Sequence, residues 1–195
     1  MPSNYYNMKY LIKLSLCLSV ILIFSCQPRE DVLNAKKTIV PASSVDAKFK
    51  DDMKKLLSHY NALKEACVNG DTKAAKGIAV IMKKFIENID ISKLNNDDFY
   101  KWSKEQGNIS FGLDEIISNP EIANIRLNFS ELYTPTYKLM IKYGMGKETV
   151  YVQECPMAFD FGGAKWFSME DNIENPYFGD EMLNCGSNIE VVSFE

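Results

Sequence analysis

Between residues 46 and 144, apolar side chains return every three or four positions in four stretches separated by short polar breaks. In the first, from Asp46 to Asn69, the residues Phe49, Met53, Leu56, Tyr60, Leu63 and Cys67 fall on one side of a 3.6-residue repeat, which predicts an amphipathic helix. Asn69, Gly70 and Asp71 end it and cap the next helix. That second helix, from Thr72 to about Ile89, is expected to turn Ala74, Ile78, Ile81, Phe85 and Ile89 inward. Asn95, Asn96 and Asp97 open a third helix carrying Phe99, Trp102, Ile109, Leu113 and Ile116, with Gly107 and Gly112 weakening its middle. Asn119 and Pro120 start a fourth along Ile122, Ile125, Phe129, Leu132, Leu139 and Tyr143, closed by Gly144. Pro135 removes a backbone donor inside that pattern, so a kink near Tyr133 or a break into two pieces is expected. Short connections between helices of similar length predict a mainly α protein, an up-down four-helix bundle over residues 46–146.

Past Gly146 the helical period stops. Thr149 to Gln153 read as a strand, Gly162 and Gly163 as a turn, and Ala164 to Phe167 as the partner strand. Asn175 to Gly179 read as a loop leading into a helical turn from Asp180 to Asn184. A small β-hairpin and irregular lobe over residues 147–195 is therefore expected to pack on the bundle, making one globular domain of residues 46–195.

A different pattern occupies the start. Lys9 and Lys13 precede an uncharged run from Leu14 to Phe24, too short to span a bilayer as a helix and typical of a signal peptide over residues 1–25. The run ends Ile23, Phe24, Ser25, Cys26, which resembles the lipobox of bacterial lipoproteins and makes Cys26 the expected site of lipidation. Residues 26–45 then read as a flexible polar tether between a lipid anchor and the domain. These features place the mature chain in the cell envelope, held by its lipid at a membrane. Gln27 after the lipid Cys is not an inner-membrane retention aspartate, which favours an outer membrane with the domain facing the periplasm.

Composition narrows the chemistry. With 46% hydrophobic and 12% aromatic residues the chain can bury a core of its own. Loss of residues 1–25 leaves 20 basic against 26 acidic groups, a net charge of −6, which argues against nucleic-acid binding. His59 is the single histidine, and that alone excludes multi-histidine metal sites and most hydrolase triads. No CxxC motif and no second orienting group accompany a nucleophile, so no enzymatic activity is expected. Cys17 leaves with the signal and Cys26 carries lipid, so Cys67, Cys155 and Cys185 remain. Cys67 sits on the apolar face of the first helix and is expected to be a buried, inert thiol.

Cys155 and Met157 are two apart, a spacing that directs both to one side of an extended segment; Met182 and Cys185 are three apart, which does the same in a helical turn. Brought together, the pairs offer two thiolates and two thioethers, a set suited to Cu(I) or Ag(I) and ill-suited to Mg²⁺ or Ca²⁺. Spacing leaves two other readings open: a Cys155–Cys185 disulfide, and plain packing of sulfur side chains. His59 reads as a residue flanking the core, or as an outer partner of a sulfur site packed on its helix. Trp166, Tyr177 and Phe178 read as the lobe's own core and as an apolar wall around that site.

The stretch YVQECPMAFDFGGAKWFSMEDNIENPYFGDEMLNCGS, residues 151–187, resembles the signature of a bacterial family of domains of unknown function, family 3347. HYNALKEACVNGD at residues 59–71 is similar to that family's first helix and turn, so the resemblance takes in the whole mature domain. Such domains occur as lipoproteins and fused to periplasmic adaptor subunits of copper and silver efflux pumps. The resemblance implies soft-metal ligands at Cys155, Met157, Met182 and Cys185, and a heavy-metal efflux adaptor as partner. The expected function is a lipid-anchored soft-metal-binding protein of the envelope, with a disulfide-stapled structural or interaction lipoprotein as the alternative.

Overall fold

A computed structural model describes residues 36–41 and 43–194. The expected signal peptide, Cys26 as the expected lipidation site and most of the expected tether lie outside the described residues. Five helices form the body: α1 (Ala47–Val68), α2 (Thr72–Glu87), α3 (Asn96–Ser118), α4 (Ile122–Glu131) and α5 (Tyr133–Tyr143). None of them is long and apolar enough to cross a membrane. Side chains start the first three: Asp46 accepts from the Phe49 N–H at 2.9 Å, Asp71 from Ala74 at 2.9 Å, and Asn95 from Asp98 at 3.0 Å. Each satisfies a first-turn donor that has no partner within its helix.

The expected interruption of the fourth helix falls at Leu132, where α4 ends and α5 begins. Pro135 then occupies the first turn of α5, where its missing N–H costs nothing. Helix α3 runs unbroken through both glycines. At Gly112 the reason is contact, because a Cβ there would lie 2.7 Å from Leu132 Cδ2 at the α4/α5 break. The buried stripe of α2 is Ala75, Ala79, Met82 and Ile86, one position on from the predicted face, while Ile81 is 56% exposed. Two alanines on the inner line allow close approach to neighbouring helices, and the larger Ile78 and Phe85 flank that line, partly buried. Phe99, expected inside, is likewise exposed.

The C-terminal lobe holds a four-stranded sheet in the order β1-β4-β2-β3, built from β1 (Lys36–Ile39), β2 (Thr149–Cys155), β3 (Ala164–Ser168) and β4 (Ser187–Phe194). The predicted hairpin is β2 and β3, antiparallel, with Val152 opposite Phe167 and Cys155 opposite Ala164. Strand β4 pairs antiparallel with β2, and β1 adds parallel to β4, Ile39 opposite Phe194. The end of the predicted tether is thus an edge strand. Its continuation is also fixed, since the Ser43 N–H donates to Lys142 O and Ser43 Oγ donates to Asp98 Oδ1 at 2.8 Å. Asp98 is itself buried, and burial alone would raise its pKa. The Lys142 ammonium and the Ser43 and Asn95 hydrogen bonds outweigh that and hold the carboxyl below its usual value.

Phe167 joins sheet to helices. Its ring lies 4.7 Å from Tyr133, 5.3 Å from Tyr60 and 6.1 Å from Tyr137, and the side chain is fully buried. Replacing it with Ala would remove this wedge at a cost of about 3 to 5 kcal/mol.

Candidate metal centre

Strand β2 delivers Cys155 as its last residue, fully buried, and Pro156 stops the ladder because it has no N–H to donate. Alternation along the strand places Glu154 on the opposite face, beside Lys165 of β3. The strand's end also removes the basis for directing Met157 to the same side as Cys155. Met157 has helical φ and ψ (−90°, −10°) and opens a turn in which Phe159, Asp160 and Phe161 all have positive φ, at 52°, 55° and 66°. The Gly162 and Gly163 N–H groups close that left-handed turn by donating to Phe159 O and Ala158 O at 3.1 and 3.0 Å.

Cys185 arrives from the long segment between β3 and β4, which covers the sheet face bearing Cys155. The short 3₁₀ turn Gly179–Glu181 ends before Met182, whose φ of −147° takes the chain out of helical geometry. A separate turn then forms, in which the Cys185 N–H donates to Met182 O at 3.0 Å. Gly186 follows with φ of +146°, and a Cβ there would meet Glu154 O and Trp166 Cη2 at 2.9 Å each. Glycine alone permits this approach to β2.

The outcome is a pair of thiols: Cys155 Sγ and Cys185 Sγ are 2.9 Å apart, and no disulfide joins them. Burial, reinforced by the hydrogen bond and charge of Cys155, pushes the Cys185 thiol up to about 11. The two methionines differ from each other. Met157 is partly buried against the hydrophobic core, whereas Met182 is 38% exposed. Among the described residues no group of three or more His, Cys, Asp and Glu side chains is placed to hold a metal ion, so the sulfur pair has no hard co-ligand.

Around the pair, Trp166 is fully buried, and Tyr177 stands edge-on to it with ring centroids 5.6 Å apart and donates its hydroxyl to Lys165 O. Phe178 is partly buried on the same core. The indole N–H of Trp166 has no hydrogen-bond partner among the described residues. His59 packs its ring on Phe85 of α2, centroids 5.0 Å apart, and no hydrogen bond ties it to the lobe among the described residues. Partial burial lowers its pKa. Cys67 is fully buried, its thiol pushed up by burial to about 12, and its carbonyl accepts from Arg126 Nε and Nη2 at 3.1 and 2.9 Å.

Two buried amides that residue spacing did not single out support the site. Gln153, two residues before Cys155 on the same strand face, is fully buried. Its Nε2 lies within hydrogen-bond distance of the carbonyls of Glu170, Asp171 and Asn172 and of Asn188 Oδ1, at 3.0 to 3.3 Å. Asn175, also fully buried, organises the segment that bears Cys185. Each is a polar side chain amid aromatic and β-branched neighbours, the sequence signal that was there to be read.

Fold and site together define a helical domain with a small sheet lobe that brings two distant cysteines into contact. The family model described as a protein of unknown function (DUF3347) matches residues 56–148, and the chain carries a domain of that family. The match spans most of α1 through α5 and ends before β2, so the sulfur lobe lies beyond it. No curated protein and no solved structure matches the chain.

Proposed function

We propose that this protein binds a soft metal, Cu(I) or Ag(I), as cargo between Cys155 and Cys185, outside the cytoplasm and tethered to a membrane through a lipid on Cys26. The reading ties it to heavy-metal handling or efflux, with an efflux adaptor as the receiving partner, and assigns it no catalysis. The observation that carries it is the meeting of two thiols at 2.9 Å, one fully buried, with no imidazole or carboxylate among the described residues placed to join them on an ion. Soft sulfur donors without hard co-ligands select monovalent copper or silver over hard divalent ions. The pair must open to take an ion. Two sulfurs each about 2.3 Å from one metal in tetrahedral geometry sit roughly 3.8 Å apart. Cys185 is the half that can give way, because it is partly exposed and lies in a turn. Met157 and Met182 are the thioethers nearest in sequence to the two thiols and complete the proposed donor set. The aromatic wall of Trp166, Tyr177 and Phe178 keeps water from the buried thiol, slowing oxidation. Cys185 surrenders its proton on binding.

A second reading follows from the same distance. Closing 2.9 Å to the roughly 2.05 Å of a bonded pair takes a movement of about the same size as opening it, and a disulfide over this loop would stabilise by about 3 to 4 kcal/mol. A competition titration of the reduced protein with a Cu(I) chelator, repeated on Cys155→Ser and Met182→Leu, separates the two. Metal binding predicts tight uptake that is abolished by Cys155→Ser and weakened by Met182→Leu. Equal, micromolar or weaker uptake by all three would refute it. A mass two protons lighter in protein recovered from its native compartment would favour the staple.

A further inference from the structure

We infer that Asn175 is the positioning residue of the sulfur pair, acting through the backbone of Cys185. Every polar atom of this fully buried residue is used. Its Nδ2 donates to Cys185 O at 2.7 Å, and its Oδ1 accepts from the N–H groups of Tyr177 and Phe178 at 2.8 and 3.2 Å. Its own N–H donates to Leu183 O at 2.8 Å, and its carbonyl accepts from Gly179 at 3.0 Å. One residue thereby fixes five others across the turn that presents Met182 and Cys185. Within that turn Cys185 is held at its N–H by Met182 O alone, so the Asn175 amide is the second point that sets where its thiol lies.

The same network reaches the opposite wall. The Oδ1 turn orients Tyr177, which packs on Trp166 and donates its hydroxyl to Lys165 O of β3, on the strand that pairs with Cys155. Asn175 thus couples the backbone of one cysteine to the strand pair that holds the other. A side chain with the acceptor but without the donor separates the two roles. Asn175→Asp keeps an oxygen for Tyr177 and Phe178 and, when ionised, places a second oxygen against Cys185 O, where no hydrogen bond forms and the two oxygens repel; Asn175→Ser removes the donor reach whatever the protonation state.

This inference rests on the sulfur site proposed above, and its first readout needs no metal. The reduction potential of the Cys155–Cys185 pair is measured in glutathione buffers, by peptide-resolved alkylation, in the wild-type chain, Asn175→Asp and Asn175→Ser. Loss of positioning lowers the effective concentration of one thiol at the other, so both variants should favour the dithiol at least tenfold more than wild type. For this two-electron couple that is about 30 mV less negative. Cu(I) affinity, measured by chelator competition, should fall at least tenfold in the same variants. Folded variants with unchanged potential and unchanged affinity would overturn the inference. A shifted potential in a protein that takes up no Cu(I) even as wild type would keep Asn175 in its role and sink the metal reading instead. Should both variants fail to fold, the Asn175 side-chain amide protons of the wild-type chain decide: slow exchange with solvent in the reduced protein is expected, and free exchange would refute the bond to Cys185.

Discussion

The left-handed turn after Cys155 is open to a sharp test. Phe159, Asp160 and Phe161 hold φ values of 52°, 55° and 66°, a region in which an L side chain costs about 1 to 2 kcal/mol and glycine costs almost nothing. Phe161 is 77% exposed, so little burial is lost when its ring is removed. Phe161→Gly therefore relieves the strain and gives back only the extra freedom of glycine in the unfolded chain, about 0.4 to 1 kcal/mol. A net stabilisation of about 0.5 to 1 kcal/mol is expected, read as a higher urea midpoint at unchanged m value and a Tm raised by roughly 1 to 4 °C. Phe159→Gly is the control. Its ring packs on Tyr177 at 5.3 Å, and loss of that pair, worth about 0.5 to 1.5 kcal/mol, cancels the gain. Asp160→Gly should gain less than Phe161→Gly, since aspartate tolerates this conformation better. If Phe161→Gly lowered stability by 0.5 kcal/mol or more, the turn would not have the handedness described. The positions of Met157 and of Ala164, opposite Cys155, would then need revision.

Two further outcomes follow from the site. Gln153→Leu leaves loop carbonyls facing an apolar side chain and should cost about 2 kcal/mol in urea unfolding, with faster hydrogen exchange in β2 and β4; no loss would show that water takes over the role. Because the Cys185 thiol is raised to about 11, it is protonated across the neutral range and must lose that proton to hold a metal. Apparent Cu(I) affinity should rise at least tenfold per pH unit between pH 6 and 9, measured against a chelator corrected for its own protonation. A flat profile would show that Cys185 is not a ligand.

The helices were legible because burial against neighbours imposes a 3.6-residue period, and the caps Asp71 and Asn95 were legible because first-turn donors need an acceptor; the cap at Asp46 emerged only from the structure. The break at Leu132 followed from Pro135. The phase of α2 was less legible, since Ala75 and Ala79 lie against the core through close approach while the more hydrophobic Ile81 stays outside. Strand β1 was not legible: KKTI becomes a strand only by pairing with residues 191–194, far along the chain. Strand β4, with Ile189, Val191 and Val192, carries a propensity signal, yet its place between β1 and β2 is a matter of tertiary pairing. For the site, spacing named both thiols but assumed regular geometry around them. Met157 and Met182 depart from that geometry because Pro156 ends the strand and the 3₁₀ turn ends before Met182.

X-ray absorption at the copper edge of the Cu(I)-loaded chain tests the central claim most directly. Coordination by the sulfur pair gives an all-sulfur shell of at least two scatterers at about 2.3 Å, reduced or lost in Cys185→Ser. A shell of nitrogen or oxygen, or an unchanged spectrum in Cys185→Ser, would contradict it.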